Sequence, residues 1–115
     1  MGLMEQTAFI LFVVSGSPVF TFLPEDVEYR EGQSAVIHCA ANGYPLPSIS
    51  WTRQGENVVE NIRFRVLSTG SLHITNVRFS DTGEYRCDAA NSVDSLSASA
   101  DLTVIGNNKL VIFQQ

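Results

Sequence analysis

The chain has 115 residues, enough for one domain with a core and too few for two. Hydrophobic residues make up 44% and charged residues 17%, a globular balance that excludes a disordered chain. Twelve acidic side chains against seven basic ones give −5, and Lys109 is the only lysine. The clustered cations that nucleic acids and anionic membrane surfaces demand are therefore missing, and no apolar run approaches the roughly eighteen residues of a membrane-crossing helix.

Ala8–Val14 is an apolar run followed by Ser15-Gly16-Ser17, which fits the core and small-residue cleavage site of a signal peptide. Met1–Thr7 carries Glu5 and no Lys or Arg, which fits the last strand of a preceding domain or an added segment instead. These readings stay open, and the chain divides into 1–16, a domain over 17–106, and 107–115 as a linker or the start of a following domain. Leu110–Phe113 is apolar and uncharged like Ala8–Val14. Both are expected to adjoin other domains in the parent protein. In the isolated chain they are expected to pack on the domain's edge or to self-associate by strand pairing.

From Pro18 to Gly106 short alternating runs are separated by turn residues. Ser34–Ala41 points Ala35, Ile37 and Cys39 inward and His38 outward. Ser48–Arg53 buries Ile49 and Trp51, with Ser50 and Thr52 on the far face. Ser71–Val77 buries Leu72 and Ile74 and exposes His73 and Thr75. Glu84–Ala90 buries Tyr85, Cys87 and Ala89, leaving Glu84, Arg86 and Asp88 to water. Ser95–Ile105 alternates most strictly, with Leu96, Ala98, Ala100, Leu102 and Val104 on one face and Ser95, Ser97, Ser99, Asp101 and Thr103 on the other. Gly, Pro, Asn and Asp mark the intervening turns, a pattern that predicts an antiparallel sandwich or barrel.

Two cysteines allow one pairing, Cys39 with Cys87, 48 positions apart. Both fall on inward faces, as a bridge between packed sheets requires. Closing so long a loop would stabilise the fold by about 4 kcal/mol. Two buried, reduced thiols are the alternative and would imply a reducing compartment. Neither cysteine has metal-ligand spacing to a second ligand.

The series Cys39, Trp51 and Asp81-Thr82-Gly83-Glu84-Tyr85-Arg86-Cys87 resembles an immunoglobulin domain, and further residues resemble its intermediate (I) set. Pro18-Val19-Phe20 with Pro24 is similar to a split first strand, Gly43-Tyr44-Pro45-Leu46-Pro47 to the B–C turn, and Gly70–Ile74 to the D–E hairpin. Arg63–Ser68 is similar to the second domain of neural cell adhesion molecules. The resemblance implies an all-β sandwich of two antiparallel sheets with Greek-key connections. It implies that Trp51 packs on a Cys39–Cys87 disulfide and that Leu72 lies in the core. Tyr85 would bond back to backbone near Asp81, and Asp81 would pair with Arg63 or Arg65. Asp94 stands where the family often has Gly, which accepts a left-handed backbone more readily.

Catalysis has no residues to rest on, since no nucleophile, base and orienting group cluster. His38 and His73 are the only histidines, on strands the family places side by side, and read either as a metal site or as two solvated side chains. No cofactor is expected. Thr52, Arg86, Asp88 and Ser99 share a polar outer face that is read as a partner-binding surface or as an ordinary wet sheet. The resemblance implies a non-catalytic binding or spacing module of a cell-surface adhesion molecule or receptor, contacting protein partners, homophilic or heterophilic, and neighbouring domains. Alternatives are an intracellular titin-like domain with reduced cysteines and an accessory module of a receptor kinase or matrix enzyme.

Overall fold

The computed structural model describes residues 15–106; the expectations for Ala8–Val14 and Leu110–Phe113 fall outside them. Ten strands follow in chain order: β1 Gly16–Phe22, β2 Val27–Arg30, β3 Ala35–Ile37, β4 Ala40–Tyr44, β5 Ser48–Arg53, β6 Glu56–Asn57, β7 Phe64–Val66, β8 Leu72–Ile74, β9 Gly83–Ala90 and β10 Ser95–Ile105. Two single turns of 3-10 helix, Val58–Glu60 and Phe79–Asp81, join β6 to β7 and β8 to β9.

One layer is a five-stranded sheet in the order β2-β10-β9-β5-β6. The facing layer consists of two ladders, β3-β8-β7 and β1-β4. The first strand is split as the family resemblance implies: β1 joins β4 in one layer and β2 joins β10 in the other. The β2–β10 pairing is parallel, whereas the other pairings are antiparallel.

The run Ser34–Ala41 does not form one strand. It breaks at His38–Cys39 because the Cys39 N–H donates to the Ser71 hydroxyl (3.3 Å) instead of to a neighbouring strand. The chain then leaves β8 and resumes pairing with β1. Its inward residues Ala35, Ile37 and Cys39 are nonetheless buried. Some expected burials differ in degree: Ile49, Leu96 and Ala98 from the inward faces and Asp88 and His73 from the outward faces are all half-buried, His73 being flanked by β3 and β7 at Val36 and Arg65.

Between the layers lie Trp51, Tyr85, Ile37, Leu72, Ile74, Leu102, Val77 and the Cys39–Cys87 disulfide, all fully buried. Burial of such side chains contributes about 1.5–3 kcal/mol each and drives the two sheets together. Trp51 sits opposite Cys87 in the β5–β9 ladder and donates from its indole N–H to the Gly70 carbonyl (2.8 Å). Gly70, at φ +102°, lies so close that a Cβ would come 2.6 Å from the Cys39 carbonyl oxygen. The turn before β8 therefore fastens Trp51 beside the disulfide, and only glycine fits there.

Candidate binding face and the hubs that present it

The outer face of the five-stranded sheet brings together the four residues singled out in the sequence. Thr52, Arg86 and Ser99 form one cross-strand row over β5, β9 and β10, and Ser50, Asp88 and Ser97 form the next. Arg86 donates from Nε to both carboxylate oxygens of Asp88, at 3.1 and 3.2 Å, and the Ser97 hydroxyl donates to the same carboxylate. An exposed pair of this kind contributes little to stability, so the row is held in place by the sheet and not the reverse. The surface is polar and of mixed charge.

At one end of the sandwich the chain closes on Asp81, which is buried. Arg63 grips its carboxylate with two parallel bonds of 2.9 and 2.8 Å, and the Arg78 N–H donates to it at 2.8 Å. Of the two arginines offered by the sequence, Arg63 makes the pair, while Arg65 stays exposed on β7. Burial pushes the Asp81 pKa up, but the bonds from Arg63 and Arg78 and the charges of Arg63 and Arg53 outweigh it, leaving the carboxyl below its ordinary value. The hydrogen bond to Asp81 raises the Arg63 guanidinium in turn.

The Tyr85 hydroxyl donates to the Asp81 backbone carbonyl at 2.6 Å, the bond expected from its position two residues before Cys87. Burial pushes the phenol up to about 12. Sequence reasoning missed Arg53. Its guanidinium lies over the Tyr85 ring at 5.4 Å and donates to the Ser80 and Thr82 carbonyls at 2.7 and 2.8 Å. A cation at the end of β5 facing the Asp81–Gly83 turn was the available signal.

At the opposite end Asn91 does equivalent work. Its amide NH2 donates to the Gly16 and Pro45 carbonyls, both at 2.9 Å, and its Oδ1 accepts from the Val93 and Asp94 N–H groups at 2.9 and 3.1 Å. One side chain thus ties the start of β1, the β4–β5 turn and the β9–β10 turn together with its full bonding capacity. Asp94, which stands where the family often has Gly, does not adopt a left-handed backbone here. Among the described residues the non-glycine positive φ values belong to Gln54 and Asn76.

His73 lies on β8, and His38 follows directly on β3. His38 is exposed, shares a 3.3 Å hydrogen bond with the Ser71 hydroxyl and lies against the Phe22 ring. Among the described residues no group of three or more His, Cys, Asp or Glu side chains could hold a metal ion.

With the disulfide, the buried Trp51, the Tyr85 corner and the split first strand in place, the match to the family model for "Immunoglobulin I-set domain" over residues 18–104 is decisive. The chain belongs to the immunoglobulin I-set family. It is 42% identical over 100 residues to the peroxidasin homolog of Mus musculus, covering 87% of this chain and 7% of that relative. The chain therefore spans a small part of the curated relative it matches. The solved extracellular domains 3–5 of Drosophila OTK superpose with a TM-score of 0.73 at 33% identity, covering 79% of this chain and 32% of that one. A chain of the titin M10–obscurin like 1 immunoglobulin complex superposes with a TM-score of 0.75 at 28% identity, covering 81% and 97%.

Proposed function

We propose that this I-set domain is a non-catalytic protein-binding and spacing module of a larger extracellular adhesion molecule or receptor. The observation that carries the reading is a division of labour. The side chains that hold the fold point inward or sit at the two ends, so the outer rows Thr52-Arg86-Ser99 and Ser50-Asp88-Ser97 are free to meet a partner. A polar sheet face of mixed charge suits a protein surface.

The extracellular reading is supported by the Cys39–Cys87 disulfide, which lies buried in the core and requires an oxidising compartment. The likeness to extracellular domains of OTK supports it. The likeness to titin M10 supports the intracellular reading, in which the same pair stays reduced. Intact mass of the protein from its native source, alkylated with and without prior reduction, separates the two. No alkylation without reduction is the expected result, and two free thiols would replace the extracellular reading with the intracellular one.

A further inference from the structure

We propose that β1 is a self-recognition edge through which two copies of this domain pair, strand to strand. The proposal does not depend on which compartment the parent protein occupies.

Sheet edges expose unpaired N–H and C=O groups and are normally blunted by charge. Three edges of this sandwich follow that rule: β2 carries Glu28 and Arg30, β6 carries Glu56, and β7 carries Arg65. The edge at β1 does not. From Ser15 to Pro24 there is no charged side chain, and none on its partner β4. Among the described residues β1 pairs with β4 alone, so its other side is open.

The strand is also sticky where it is open. Val19, Phe22 and Leu23 are 62%, 60% and 58% exposed, and Tyr44 on the neighbouring β4 is 59% exposed. Val19, Thr21, Asn42 and Tyr44 line a shallow depression of about 500 Å³ on the outer surface of the ladder. Pro18 and Pro24, both buried, bracket the open stretch, and proline is tolerated in such a position only at an edge. The strand is fixed in advance, because Asn91 holds Gly16 at its start.

Charge and strand geometry together admit a second copy at this edge. Each copy carries −5, so two copies repel over most of their surfaces. The β1–β4 ladder is where they can meet without opposing like charges. An antiparallel pairing about a two-fold axis near Phe20 sets Val19 of one copy beside Thr21 of the other, and the reverse. It extends the ladder to four strands and closes at two copies.

Sedimentation velocity on the full chain over a dilution series tests this. The mass is expected to rise from 12.6 kDa to twice that value with concentration. The double variant Val19→Lys/Phe22→Lys should stay at the single-chain mass with an unchanged urea midpoint. A chain that is monomeric throughout overturns the proposal. So does a dimer that survives both lysines, which would place the contact elsewhere, for example at Ala8–Val14 or Leu110–Phe113. Should the variant fail to fold, amide exchange of the unaltered chain decides. Protection at Val19–Phe22 that grows with concentration supports pairing of copies. Protection independent of concentration means that another part of the same chain covers the edge, and refutes it.

Discussion

Replacing Tyr85 by Phe removes one oxygen and leaves the ring in place. The ring is fully buried, stacks on Phe64 with centroids 6.2 Å apart, and lies beneath the Arg53 guanidinium, contacts that Phe retains. What is lost is the 2.6 Å bond to the Asp81 carbonyl, an acceptor left without its donor. Losing such a bond inside a protein costs about 1–3 kcal/mol, or roughly 4–8 °C in melting temperature per kcal/mol for a domain of this size. Urea denaturation of both proteins should show a lower midpoint for Tyr85→Phe with the same dependence on urea. The phenol pKa, raised to about 12, adds a pH signature. Its contribution is complete below the ordinary tyrosine value of about 10 and is lost as pH rises toward the folded value. The gap between the two proteins should therefore narrow in strong alkali. Equal midpoints at neutral pH, or a gap that widens in alkali, would refute the assignment of Tyr85 as the corner that closes on Asp81.

Asp81→Asn should destabilise by about 2–4 kcal/mol, because Arg63 keeps its charge and loses its counter-ion in a nearly buried setting. Since the Asp81 pKa is lowered by folding, the difference from the unaltered protein should be constant above the ordinary carboxylate range and shrink as pH falls through the folded value, measured by urea midpoints across acidic pH. Gly70→Ala should cost about 2 kcal/mol or more, since its Cβ meets backbone at 2.6 Å on top of an unfavourable φ, whereas Gly55→Ala, with nothing within 4 Å, should cost only about 1 kcal/mol of backbone strain; thermal melts of the two compare them directly.

The core was legible because period-two alternation leaves little freedom: once Leu96, Ala98, Ala100, Leu102 and Val104 share a face, the pairing with β9 places Tyr85 and Cys87 on that face too. The break at Cys39 was hidden for the opposite reason. Alternation continues through it, and the cause is a serine hydroxyl thirty-two residues away taking the Cys39 N–H. Arg63 and Arg65 are alike in one dimension; only the placement of the chain entering β7 turns Arg63 toward Asp81 and leaves Arg65 to water. The bonds of Asn91 to Gly16 and Pro45 depend on loops that only the assembled fold brings together, so nothing in the local sequence points to them. Local pattern gives faces; contacts between ends of the chain require the assembled sandwich.

The two polar hubs place the directional bonds of the fold at the ends of the sandwich and not on its outer faces. A sandwich held by apolar burial alone can slip, because hydrophobic contact is non-directional. Here Asp81 fixes the turn between β8 and β9 against Arg63 and Tyr85, and Asn91 fixes β1 and two turns at the other end. Directional bonds at both ends, with a disulfide between them, set the register of strands whose outward side chains then carry no structural duty. If the proposed sheet face and open edge are the binding surfaces, substituting Arg86, Asp88 and Ser99, or Val19 and Phe22, is expected to change what the domain meets while the fold persists. The physical criterion that separates the two classes is whether a side chain closes a bond between distant segments, and it assigns Asn91, exposed loop residue though its neighbours are, to the fold.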